Sequence, residues 1–241
     1  MSTFAVVLVA GLCGAAAGAL LPRAAYRFSV DPEEEWRTRC PDGHRLRGWL
    51  GRARCARCAE RYGPGAPLVA LVTALLCAAL AAATDTRPEL AVWLLLTPVG
   101  VLLALVDLRV RRLPDVLTLP LAGAALGLLG VVALVPEHAG DWPTALWASL
   151  ALGAFYLVLH LINPGGMGFG DVKLALGAGA ALGWYGWSTV MLGTFAGFLL
   201  GALYGWGLVL LRRAGRKSAL PFGPFLLGGA FVGLLIGAYA A

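Results

Sequence analysis

The chain is a series of long apolar runs separated by short polar turns. A membrane-crossing helix needs roughly 20 predominantly apolar residues. Eight runs approach that length: 4–21, 67–83, 91–107, 116–135, 144–162, 172–186, 188–211 and 221–240. The sixth is the shortest. Only one polar segment of any size, 22–66, lies between runs. The pattern predicts an all-α, polytopic helical membrane protein with about eight transmembrane helices. Residues 1–21 would form the first span, 22–66 an extramembrane loop, and 67–241 a seven-helix core.

Composition agrees and adds an orientation. The 241 residues are 59% hydrophobic and 13% charged, where soluble domains carry roughly 25% charge. A soluble enzyme, a disordered tail and a conventional nucleic-acid binder are thereby excluded. Lys and Arg total 19 against 13 acids. Of those cations, 18 fall in 22–66, 108–115, 163–173 and 212–217, which are alternate connections and so share one side. Cytoplasmic loops carry such an excess. The reading is therefore a membrane protein with that face in the cytoplasm and both termini outside. The first run has no preceding Lys or Arg, while Arg23 and Arg27 follow it. A secretory signal has the opposite order, so an uncleaved first helix is expected. The basic balance sets orientation and attracts anionic lipid; it requires no nucleic acid.

Arg87 and the acids Asp85, Glu89, Glu137 and Asp141 fall on the opposite side. Trp93, Trp142, Trp147, Trp184 and Trp187 are expected to form an aromatic belt there. Gly193, Gly197, Gly201 and Gly205 recur every fourth residue in the seventh run, as do Gly229, Gly233 and Gly237 in the eighth. Such stripes let helix backbones approach closely.

Ionisable groups left within spans are functional candidates. Three acids lie at inner span ends: Asp107, Asp115 and Asp171. Asp171 follows a glycine-rich loop containing Gly165, Gly166, Gly168 and Gly170. Irregular backbone at membrane depth is tolerated only where it is buried in protein or lines a wet cavity. Two carboxylates brought together can share one proton, so that one activates a water and the other donates to a carbonyl. That chemistry hydrolyses a peptide without a metal. The residues alone leave alternatives open: Asp107 paired with Arg109 or Arg111, Asp171 as a helix cap, or acids carrying ions or protons in a transport or binding protein. Asp115 after Pro114 reads as a helix start. His160 reads as a hydrogen-bonded structural residue.

Three segments carry a family resemblance. Gly168-Phe169-Gly170-Asp171-Val172-Lys173-Leu174 resembles the GxGDxKL motif of bacterial prepilin peptidases, the type IV leader peptidases. Asp107 and Leu113-Pro114-Asp115-Val116-Leu117-Thr118-Leu119-Pro120 resemble the family's first aspartate segment. Pro221-Phe222-Gly223-Pro224-Phe225-Leu226 resembles its late signature. The resemblance implies a membrane aspartic endopeptidase with Asp107 and Asp171 as the catalytic pair. Gly166, Gly168 and Gly170 would shape the active-site loop, and Lys173 would tune or anchor it. The implied substrate is a prepilin or pseudopilin with a short basic leader, cut after a glycine that precedes an apolar helix. The oligomeric state is not legible.

The loop holds Cys40-Pro-Asp-Gly-His44 and Cys55-Ala-Arg-Cys58. Family members commonly have two CxxC pairs here. Gly43 replaces one cysteine, and His44 is the substitute ligand for a structural zinc on Cys40, His44, Cys55 and Cys58. A structural membrane component with a zinc-stabilised loop is a further alternative. Cys13 and Cys77 lie within spans and read as small buried apolar residues. Many family members also N-methylate the product using S-adenosylmethionine. Ala70 in Pro67-Leu68-Val69-Ala70 stands where those members carry an acid, so methyl transfer is not expected.

Overall fold

The computed structural model describes residues 2–31, 33–211 and 221–241. The basic run 212–217 lies outside these. Among the described residues eight helices follow in order: α1 (Thr3–Phe28), α2 (Ala66–Thr84), α3 (Glu89–Val110), α4 (Asp115–Val132), α5 (Trp142–Ile162), α6 (Phe169–Gly183), α7 (Trp187–Leu210) and α8 (Gly223–Ala240). Seven of them are long and apolar enough to cross a membrane. Among the described residues no strand forms; two isolated bridges, Arg39 with Arg45 and Arg54 with Arg61, lie in the loop. The chain is a multi-pass helical membrane protein.

The exception is α6. It has 15 residues, about 22 Å of helix, against roughly 30 Å of hydrocarbon. Eleven of those residues are buried. The expected sixth span is thus a short helix enclosed by α4, α5, α7 and α8. Its glycines and alanines admit α5 closely: a Cβ on Gly179 would lie 2.6 Å from the Ala148 carbonyl. Ser149 Oγ donates to the Leu176 carbonyl at 2.8 Å. The Asp141 N–H donates to Trp184 O at 3.0 Å, so the end of α6 is level with the start of α5. Counting back along this antiparallel pair puts Asp171 level with about residue 154. That is roughly 12 Å short of the end of α5. The helix start is therefore recessed into the bundle.

Packing elsewhere follows the small-residue stripes. Gly193 and Gly197 of α7 face α8, where added Cβ atoms would lie 3.1 Å from the Gly229 and Phe225 carbonyls. Helix α1 runs past its apolar stretch to Phe28 because the loop docks on it. Arg23 donates to the carbonyls of Arg47 (2.6 Å) and Leu50 (3.1 Å). Arg27 lies 3.8 Å over the Trp49 ring. The expected tryptophan belt is only partial. Trp147 and Trp187 are exposed, but Trp93 and Trp184 are buried in the bundle. Trp93 Nε1–H donates to the Tyr185 hydroxyl at 3.1 Å, which satisfies its polar atom away from the interface. Glu89 is likewise enclosed, 4.0 Å from Arg87.

Candidate active site

Asp107 lies in the last turn of α3. Arg111 then adopts a left-handed conformation (φ 51°) and ends the helix, which turns Leu113 inward. Leu113 is buried where the starts of α6 and α8 meet. A Cβ on Gly170 would lie 2.8 Å from the Leu113 Cβ. A Cβ on Gly223 would lie 2.8 Å from Asp107 Oδ2 and 3.3 Å from Leu113 Cδ1. Only residues without a side chain fit at these two positions. The motif glycine Gly168 differs: its added Cβ would find Asp171 Oδ2 at 3.4 Å, an ordinary contact.

Both carboxylates are buried. Asp107 Oδ2 accepts the Gly223 N–H at 3.0 Å, at the first residue of α8. Asp171 Oδ2 accepts the Gly168 N–H at 3.1 Å, reaching back to the start of its own helix. Each therefore sits on the positive end of a helix. Asp171 Oδ1 is buried with no hydrogen-bond partner. Leu113 lies between the two carboxylates, against Gly170 beside Asp171 and against the Gly223 that holds Asp107. Pairing of Asp107 with Arg109 or Arg111 does not occur: among the described residues the ion pairs are Arg87–Glu89 and Lys173–Asp115. Asp171 does cap its helix, but its second oxygen remains available.

The neighbours divide the remaining roles. His160 Nδ1–H donates to the Met167 carbonyl at 2.8 Å, which holds the loop 163–168 against α5 as a structural histidine would. Lys173 Nζ meets Asp115 Oδ1 at 2.6 Å and lies 4.8 Å from the Phe169 ring centroid. Asp115 thus opens α4 without a side-chain cap bond and ties α4 to α6 instead. Gly166 packs against Asn163 at the loop's turn. Three contributors were not singled out from the sequence: the Gly223 N–H, Leu113 and Tyr156. Tyr156 is fully buried and its hydroxyl has no hydrogen-bond partner. Its ring lies 5.8 Å from Phe198 and 5.9 Å from Phe222. The glycine of the late signature was visible; that it carries a backbone donor for Asp107 was not.

The loop gathers its four predicted ligands. The ligand atoms of Cys40, His44, Cys55 and Cys58 all lie within 4.8 Å of one another. Cys40 Sγ is 3.6 Å from His44 Nδ1 and 3.9 Å from Cys58 Sγ, and Cys55 Sγ is 3.9 Å from His44 Nδ1. Tetrahedral zinc with bonds near 2.3 Å to sulfur sets sulfurs about 3.8 Å apart. Gly43 adopts φ +80° in the turn between Cys40 and His44, a conformation that favours glycine over a second cysteine. The Arg57 N–H donates to Cys55 Sγ at 3.5 Å, which favours the thiolate that binds metal. The donor set fits zinc.

Fold and site together define a polytopic helical membrane protein with two buried carboxylates at one end of its bundle. The type IV leader peptidase family profile matches residues 94–206, which include both aspartates. The prepilin leader peptidase/N-methyltransferase of Aeromonas hydrophila is 38% identical over 193 residues, covering 78% of this chain and 64% of that protein. The protein of the same name from Pseudomonas putida is 34% identical over 214 residues, covering 83% and 71%. That of Burkholderia pseudomallei strain 1026b is 34% identical over 220 residues, covering 83% and 67%. No solved structure matches. The chain belongs to the type IV leader peptidase family. It spans about two thirds of the length of these relatives.

Proposed function

We propose that this protein is an intramembrane aspartic endopeptidase that removes the basic leader of type IV prepilins or pseudopilins. The carrying observation is the carboxylate pair: two buried aspartates on separate helices at one end of the bundle, each bonded to a backbone N–H, with Leu113 packed against Gly170 beside Asp171 and against the Gly223 that holds Asp107. Such a pair shares one proton. The ionised member takes a proton from a water, whose oxygen attacks the scissile carbonyl carbon. The protonated member gives its proton to the carbonyl oxygen. Collapse of the resulting diol breaks the C–N bond: the now ionised second carboxylate takes a hydroxyl proton from the diol, and the proton held by the first carboxylate passes to the leaving amine, which restores the shared proton. Peptide and water are consumed; two shorter peptides form.

The bond cut follows a glycine and precedes an apolar helix. Cleavage is at the cytoplasmic face of the plasma membrane, a reading supported by the 18 of 19 cations on the dyad's side. Segment 22–66 is a separately stabilised subdomain between the first helix and the seven-helix core 67–241. Cys40, His44, Cys55 and Cys58 would hold a zinc ion, which supplies cross-linking of the loop and no chemistry at the dyad. Methyl transfer is not part of this reading, since Ala70 of α2 offers no acid.

Coexpression with a prepilin tests the activity. The unmodified protein yields the shortened product, and Asp107→Asn or Asp171→Asn alone abolishes it. Cleavage surviving in either variant refutes the dyad.

A further inference from the structure

A second feature shares the end of the bundle that carries the carboxylates. Helices α2, α3, α4, α6 and α8 enclose an apolar cleft of about 360 Å³. Its near end is lined by residues that neighbour the dyad along the chain, while neither aspartate lines it. Leu108 follows Asp107, Pro224 follows the Gly223 that donates to Asp107, and Leu174 is one turn beyond Asp171. Its far end reaches Trp93 and Leu234. The lining polar groups are satisfied: Thr97 Oγ1 donates to the Trp93 carbonyl, and Trp93 Nε1–H to Tyr185. Val72 and Leu108 on its rim are exposed, so the cleft opens toward lipid.

Its dimensions select the occupant. From Trp93 to Leu108 along α3 is about 22 Å, and a helix of that length and 10 Å width fills roughly 1,700 Å³. The cleft is much smaller, so it takes one row of side chains while the guest's other faces stay in lipid. Above the dyad the charge changes sign locally. Asp31, Glu33, Glu34 and Glu35 are exposed on a face that is otherwise basic. Arg112 tethers this run by donating to the Asp31 carbonyl at 2.9 Å and lies 5.6 Å over Trp36. Its neighbour Leu113 touches Gly170 and Gly223. An acidic mouth, a carboxylate pair and an apolar cleft therefore follow one another in space.

We propose that the cleft between α3, α6 and α8 is the berth for the substrate's apolar helix. Asp31, Glu33, Glu34 and Glu35 receive the basic leader, and the junction lies across Asp107 and Asp171. This rests on the prepilin-peptidase reading and adds where each part of the substrate binds. A lipid acyl chain would also fit an apolar cleft, but it gives the acidic mouth no role.

The test uses the full chain in native membranes with a prepilin carrying a basic leader, a glycine and an apolar helix. A photo-crosslinking residue replaces Ala104 or Leu227 in the cleft. Controls replace Leu203 or Trp206, exposed on α7, which contacts neither α2, α3 nor α4. Cleavage is scored first in the active protein, and adducts are then mapped with Asp171→Asn to retain uncut substrate. We expect adducts at 104 and 227 within the substrate's apolar helix, and none at 203 and 206. In the charge arm, Glu33→Lys, Glu34→Lys and Glu35→Lys together raise KM about tenfold, and an acidic leader restores it. Intact cleavage with adducts on α7 instead, or with phospholipid alone at 104 and 227, overturns the berth and leaves the activity standing. Failure of the active protein to cleave overturns the activity itself and the berth with it. An unchanged KM in the charge arm removes the acidic mouth from the proposal.

Discussion

Replacing Gly223 by alanine puts a methyl carbon 2.8 Å from Asp107 Oδ2 and 3.3 Å from Leu113 Cδ1. An unstrained contact needs about 3.5 Å, so the carboxylate must retreat by roughly 0.7 Å. The Gly223 N–H bond, 3.0 Å long, then stretches to about 3.7 Å and is lost. A hydrogen bond to a charged group contributes about 1.5–3 kcal/mol. At about 1.4 kcal/mol per decade, kcat should fall roughly 10- to 150-fold. Gly170→Ala meets Leu113 Cβ at 2.8 Å and should also lose activity. Gly168→Ala meets only an ordinary contact at 3.4 Å, with φ −72°, and should stay within about threefold. The assay is prepilin cleavage in membranes at matched protein levels. Wild-type kcat in Gly223→Ala, or an equal loss in Gly168→Ala, refutes the close-approach argument.

Other outcomes follow from the same structure. Asp115→Asn and Lys173→Met should each lower thermal stability slightly. Their double-mutant coupling should be about 0.5–1 kcal/mol, because Asp115 is largely exposed. Purified protein should carry about one zinc per chain, lost in Cys55→Ser and retained in His44→Cys; metal analysis reads both. Asp141 accepts from the Thr144 N–H and hydroxyl, and these bonds hold its carboxyl below the usual range. Its folded pKa is thus depressed, so the stability it adds is present above about pH 4 and lost as pH falls through the folded value. Asp141→Ala should cost about 1 kcal/mol at neutral pH, and the gap in melting temperature should close in acid. Product mass should show no added methyl group; a gain of about 14 Da would contradict the reading from Ala70.

Hydropathy made most of the bundle legible because lipid imposes a length and a composition on every exposed span. Helix α6 escaped that logic. Enclosed by other helices, it needs small residues for close packing rather than 20 apolar ones. Trp93 and Trp184 were misassigned to the interface for a related reason: burial depends on neighbours far along the chain. The glycine-rich motif marked Asp171 well, and the Cys-His spacing marked the loop's four ligands. What stayed hidden were tertiary approaches. The Gly223 N–H reaches Asp107 across 116 positions, and Lys173 selects Asp115 rather than a loop neighbour. No local pattern encodes either pairing.

The central claim is that Asp107 and Asp171 act as one unit. The most direct test is a kinetic cycle on purified, lipid-reconstituted protein, comparing Asp107→Asn, Asp171→Asn and the double variant for prepilin cleavage. Groups acting as a unit are strongly non-additive. Each single substitution should remove at least about a thousandfold of the rate, and the double variant should be no slower than either. Losses that multiply in the double variant, or a single variant that keeps substantial cleavage, would contradict the account.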